Sequence, residues 1–193
     1  MARTTAKTSF SEQRFVHGEQ PDFVLADAEF EDCSFAKLAL SGQRICRSRF
    51  FDCVFSDCDL SLCRLVDCAF VRSRFERCRL SGINWSEVEK LEHVSFDGSQ
   101  LNDTTFIGVK LEVCDFSRAI VHRASFRDLG LKSCLFRDAD LSETEFVNAD
   151  LRQADFRGAS GYVINPKENR LEKARFSLPE AVRLLNGLGI LLE

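Results

Sequence analysis

A chain of 193 residues, 45% hydrophobic and 29% charged, suits one ordinary domain and is too apolar for a disordered one. Its 26 basic and 30 acidic side chains give a formal charge of −4, which excludes a protein that holds nucleic acid by bulk charge. No apolar run approaches the roughly 20 residues of a spanning helix, and the N-terminus lacks the apolar stretch of a secretory signal, so the expectation is a cytoplasmic protein with no membrane partner.

Residues 1–22 read as a lead-in or cap. From Leu25 onward every fifth residue is large and apolar: Leu25, Phe30, Phe35, Leu40, Ile45, Phe50, Phe55, Leu60, Leu65, Phe70, Phe75, Leu80 and Trp85. Two residues before these centres sits a small side chain, as at Ala28, Cys33, Ser48, Cys53, Cys58, Cys63, Cys68, Ser73 and Cys78. Neither helical spacing nor strand alternation produces a small-x-large-x-x unit. A chain that turns a corner after each unit does, with one inward pair per side. Centre identity repeats every twenty residues as Phe-Phe-Leu-Leu, so four sides complete one coil. The pattern predicts an all-β solenoid, square in section, of about seven coils and roughly 34 Å at strand spacing.

The register slips at residues 86–90, where an unbroken repeat would bury Glu89. A bulge or short loop avoids that cost. The repeat resumes as Leu91, Phe96, Leu101, Phe106, Leu111, Phe116, Val121, Phe126, Leu131, Phe136, Leu141, Phe146, Leu151 and Phe156. Residues 1–85 carry no net charge, whereas residues 86–118 carry −4. Glu87, Glu92, Asp97, Asp103, Glu112 and Asp115 are the outward acids of that stretch. Arg72, Arg74, Arg77 and Arg79 fall on three sides and read as a solvated rim.

Eight of the nine cysteines occupy the small inward position, Cys46 being the other, so they read as reduced core thiols rather than metal ligands or disulfides. His17, His93 and His122 have no nucleophile or carboxylate at a catalytic spacing, and His122 reads as solvated. No cofactor, metal or catalytic residue is expected, and the chain reads as no enzyme. After Ser160 the repeat decays into a turn-rich exit. A helix is predicted from Ser177, with Ser177 and Glu180 forming a capping box, Pro179 in the first turn and Gly189 as the stop. Its apolar residues Leu178, Ala181, Val182, Leu184, Leu185, Leu188, Ile190 and Leu191 are expected both to close the last coil and to pair with a second copy.

The units "ADLSE", "ADLRQ" and "ADFRG" make residues 23–160 resemble the pentapeptide-repeat family. That resemblance implies a right-handed quadrilateral parallel β-helix. The segment 161–193, read as a capping and dimerisation module, contains "YVINPKENRLEKARFSLPEAVRLLNGLGILL". It is similar to the tail of the topoisomerase-protecting group, which includes Qnr, MfpA and the albicidin- and microcin-immunity proteins, and is nearest the albicidin type. This implies a tail-to-tail homodimer that binds DNA gyrase, with topoisomerase IV a further target, as a partial mimic of DNA. It would protect the enzyme from quinolones, albicidin or microcin-type peptides, giving resistance or self-immunity, without contacting nucleic acid itself. The outward acids of residues 86–118 are the expected gyrase contacts. The alternative is a repeat scaffold for another protein, since the fold alone is functionally silent.

Overall fold

The computed structural model describes residues 8–16 and 25–190, the side chain of Glu112 excepted. Each short strand pairs in parallel with the strand one coil away. On one face Phe10 pairs with Phe30, Phe30 with Phe50 and Phe50 with Phe70. On the next, Phe15 pairs with Phe35, Phe35 with Phe55 and Phe55 with Phe75. Isolated bridges from Ala39 through Asp59 to Arg79 build the third face, and Ile45 against Leu65 the fourth. The chain is therefore a parallel β-solenoid with four five-residue sides, as its periodicity predicts. Among the described residues its ladder runs from Thr8, which pairs with Ala28, to Arg175, which bridges to Asp155.

The corners explain the period. From Asp27 to Gly82 every fifth residue has a positive φ, between 50° and 72°, and the series resumes at His93. A single left-handed residue turns the chain through each corner. Asp, Asn and Gly fill many of these places because they tolerate that conformation. The series skips one corner. There Trp85–Glu87 forms a turn of 3-10 helix, with Asn84 Oδ1 accepting from Ser86 N at 3.1 Å. Val88 turns inward, Glu89 stays exposed, and the coil offset grows by one, so Phe70 pairs with Leu91. The expected burial problem at Glu89 is solved by this turn.

The core is a set of side-chain columns. Phe15, Phe35, Phe55, Phe75, Phe96, Phe116, Phe136, Phe156 and Phe176 stack along the second face with centroids 4.5–5.4 Å apart. Below the break its aromatic neighbour is the first face. Above it the neighbour is the fourth, where Trp85 stacks on Phe106 and Phe106 on Phe126. Trp85 also meets Phe70, Phe75 and Phe96 edge-on, so one indole joins the two arrangements.

The tail differs in detail from the sequence expectation. Glu180–Leu188 is a 3-10 helix, ended by Gly189 at φ 73°. With three residues per turn, Ala181, Leu184 and Gly187 share one edge, Val182, Leu185 and Leu188 a second, and Glu180, Arg183 and Asn186 a third. Leu184 packs on the core. A Cβ at Gly187 would lie 2.6 Å from Pro166, so this edge sits directly on the exit turn. The capping box does not form. Ser177 Oγ accepts from Gly158 N at 2.9 Å, and Glu180 accepts from Gly161 N at 3.4 Å. Ser177 still follows Phe176 in the repeat register, so it faces the previous coil instead of its own helix.

Candidate partner-binding surfaces

The inward position two residues before each centre does more than fill space. Cys53 Sγ donates to Phe30 O at 3.5 Å, Cys58 to Phe35 O at 3.4 Å and Cys63 to Leu40 O at 2.9 Å. Ser73 Oγ does the same to Phe50 O at 3.1 Å. Each group therefore ties a centre to the carbonyl of the coil beneath. The interchange of Cys with Ser and Thr in the repeat was the available signal for this role. Burial pushes the Cys53 thiol up to about 12, Cys63 and Cys68 to about 11, and Cys134 to about 12. These thiols are poor nucleophiles as a result. Cys46 is half-buried.

The corners carry the charge. Arg72 grips Asp52 through two bonds of 2.8 and 2.6 Å, Arg77 grips Asp57 at 2.9 and 3.0 Å, and Arg47 grips Asp27 at 2.5 and 2.6 Å. Of the arginine rim read from sequence, Arg72, Arg77 and Arg79 thus pair with acids one coil away, whereas Arg74 meets Glu76 on its own coil. His122, expected to be solvated, is only partly exposed and meets Asp140 at 2.8 Å.

The acids of residues 86–118 lie outward but are largely paired. Glu87 meets Arg64 at 3.3 Å, Glu92 meets Lys90, Asp97 meets Arg118 at 2.5 Å and Asp103 meets Arg123 at 2.8 Å. Glu89 meets Arg49 at 2.9 Å, across Ala69, which this pair leaves 4% exposed. Asp115 accepts from Ser117 N at 2.8 Å. The Lys90 ammonium lowers the Glu92 carboxyl from its ordinary range, and Arg123 lowers that of Asp103. Arg49, Arg64 and Arg123 stand outside the sequence stretch, so the acidic field expected there is weakened by cations one or two coils away. The side chain of Glu112 is outside the described residues.

One carboxylate on the second face is held far more tightly. Asp155 is 3% exposed in its side chain and binds Arg157 at 2.9 and 2.7 Å and Arg137 at 2.7 Å. The Arg157 hydrogen bond, opposed by burial and aided by Arg137, holds its carboxyl well below the usual range.

The tail presents the apolar surface. Leu178 is 79% exposed, Ile190 45%, Leu188 42% and Val182 38%, while Ala181, Leu184 and Leu185 are partly covered. Leu191 lies outside the described residues. Beneath the tail, Tyr162 closes the aromatic columns, tilted against Phe156 and Phe176, and burial pushes its hydroxyl up to about 12. A groove of 340 Å³ on the fourth corner is lined by Asp128, Asn148, Asp150, Glu168 and Arg170 among others, with no nucleophile beside a base. Among the described residues, no helix is long and apolar enough to cross a membrane.

The profile described as a pentapeptide repeat region matches residues 28–106, and that of pentapeptide repeats matches residues 131–160, together more than half of the chain. Comparison with curated protein sequences finds no match. Among solved structures, a trypsin-treated variant of QnrB1, a plasmid-mediated fluoroquinolone resistance protein, is 14% identical, with a TM-score of 0.48 over 96% of this chain and 97% of its own. Full-length QnrB1 is 18% identical, with a TM-score of 0.40 over 94% of this chain and 100% of its own. The pentapeptide repeat protein Rfr23 of the cyanobacterium Cyanothece 51142 is 14% identical, with a TM-score of 0.31 over 75% of this chain and 88% of its own.

Proposed function

This chain belongs to the pentapeptide-repeat family, and within it we propose a DNA gyrase-binding protein that protects the enzyme from poisons such as quinolones. The observation that carries this reading is the tail. Its sequence resembles that of the gyrase-protecting group, and its 3-10 helix spends one edge on the solenoid while leaving Val182, Leu185 and Leu188 on another. A second copy covering that edge gives a two-fold rod with both solenoids pointing outward. Coils locked by stacked rings lose little freedom on binding, so a rigid rod suits a surface that must be matched in shape.

Charge has a smaller part than the sequence suggests. Carboxylates tied to arginines do not present the unbroken anionic rail of a duplex. Of the expected contacts, Asp115 faces outward without an ion pair among the described residues, and Glu87, Glu92, Asp97 and Asp103 contribute to steering through their residual field. The same pairing favours a second reading, a scaffold that binds another protein. A gyrase supercoiling assay over a quinolone titration separates the two. Under the gyrase reading, added protein raises the drug concentration needed for half-inhibition. Unchanged drug sensitivity at every protein concentration overturns it in favour of the scaffold.

A further inference from the structure

The last coils of the solenoid separate their charges by side. Residues 127–177 hold nine basic and nine acidic side chains, a formal charge of zero. The first and second faces, with the corner between them, take Lys132, Arg137, Arg152, Arg157, Arg170, Lys173 and Arg175 but only Asp150, Asp155 and Glu172. The remaining faces and corners take Asp128, Asp138, Asp140, Glu143, Glu145 and Glu168 against Arg127 and Lys167. One half of this end therefore carries a formal +4 and the other −4.

The basic half is not neutralised by its own acids. Lys132, Lys173 and Arg175 are exposed and make no ion pair among the described residues. Asp155 is shared: it holds Arg157 through Nε and Nη2, and Arg137 through Nε alone. One buried carboxylate thus orients two guanidinium groups and leaves a positive charge over, with Arg137 47% and Arg157 48% exposed. Arg175 bridges to Asp155 from the coil above and adds another. On the first face Glu172 offsets Arg170 at 3.9 Å, whereas the matching place on the second face holds Ser177. The corner itself is uncharged at Ser133 and Gln153, and a cleft of 240 Å³ opens there between Lys132, Arg152, Glu172 and Lys173.

We propose that this basic corner docks an acidic patch on the surface of the protein partner. The proposal rests on the gyrase reading above and adds the sign of the enzyme surface that meets the rod beside its tail. A folded protein can match a +4 half and a −4 half at once, and such matching fixes the rotation of a rod about its axis. Nucleic acid suits the site less well. Three coils span only about 14 Å, against about one charge per 1.7 Å of duplex, so few phosphates would be met. The chain's formal charge of −4 would repel the others.

The test is Lys132→Glu with Lys173→Glu, both exposed and unpaired, so the melting temperature should hold. A control with the same net charge is Lys37→Glu with Arg44→Glu, on exposed positions of the lower coils. Association with gyrase, followed by surface plasmon resonance, should slow about tenfold or more for the corner pair at low salt, and the gap should close at high salt. An unchanged rate overturns the docking corner, and so does a control that slows equally, since net charge alone then explains the loss. A labelled DNA duplex bound by the parent and lost by the corner pair assigns the site to nucleic acid and overturns the protein assignment. If the parent itself gives no gyrase signal, the functional reading falls and takes this corner with it.

Discussion

Replacing Asp155 by Asn tests whether the solenoid's tightest polar knot bears on its stability. The carboxylate accepts from Arg157 Nε, Nη2 and N and from Arg137 Nε, while its own side chain is 3% exposed. Asn keeps the shape but removes the charge and turns one acceptor into a donor facing a guanidinium. Charged hydrogen bonds contribute about 1.5–3 kcal/mol each when buried. Here both guanidinium groups are about half exposed, at 47% and 48%, and recover water on release. The net cost should be about 2 kcal/mol, or roughly 4–8 °C in melting temperature for a chain of this size. The pH dependence gives the sharper check. A carboxyl lowered on folding stabilises the protein above its unfolded value of about 3.9, and that contribution fades as pH falls toward the folded value. At about 1.4 kcal/mol per pH unit below 3.9, most of the difference between parent and variant should be gone by about pH 2.5. Thermal melts followed by circular dichroism at pH 7, 4 and 2.5 measure it. Equal melting at pH 7, or a gap that stays constant into acid, refutes the assignment.

Changing Cys58 and Cys63 together to Ala should lower stability by about 1–2 kcal/mol in denaturant melts, with Ser at both sites recovering part of it through the same carbonyls. Identical losses for the Ala and Ser pairs would remove the thiol donors from the account. Val182→Asp with Leu188→Asp should yield a folded monomer by light scattering, whereas Leu184→Asp should loosen the tail itself because Leu184 packs inward. A folded double variant that still runs as a dimer rules out the outer edge. Arg118→Gln with Arg123→Gln frees Asp97 and Asp103 and moves the net charge from −4 to −6, so association with gyrase should quicken at low salt and the gain should vanish at high salt. An unchanged rate at both salts assigns no steering to these acids.

The repeat was legible because both members of each inward pair recur at fixed spacing, and a column of Phe or Leu tolerates nothing else. The break at residues 86–90 was legible for the same reason, through the acid it would have buried. The corner conformation was also written in the chain, in Asp27, Asp32, Gly42, Asp52 and Asp57 two residues after their centres. The tail type was less accessible. An amphipathic stretch fits α and 3-10 helices alike at sequence level, and only the close seat of Gly187 on Asn165 and Pro166 favours the tighter winding. Ser177 and Glu180 have capping-box spacing, but Ser177 is still a repeat residue and bonds backward.

The charge map shows where a linear sum stops being physical. In a solenoid the nearest outward neighbour of a side chain is about twenty residues away, one coil up or down, and not the residue next to it in sequence. Asp103 is closer to Arg123 than to the other acids with which a sequence window groups it, and Glu89 reaches Arg49, two coils below. A window of about thirty residues covers little more than one coil, so it omits the partners above and below. Sorting the chain by side and then by coil brings these pairs together at their corners, with the Asp103–Arg123 pair on the same corner as Gly42, Leu62 and Gly82. Recognition by a partner protein should follow that map, with apolar contact at the tail and paired charges setting orientation and rate elsewhere.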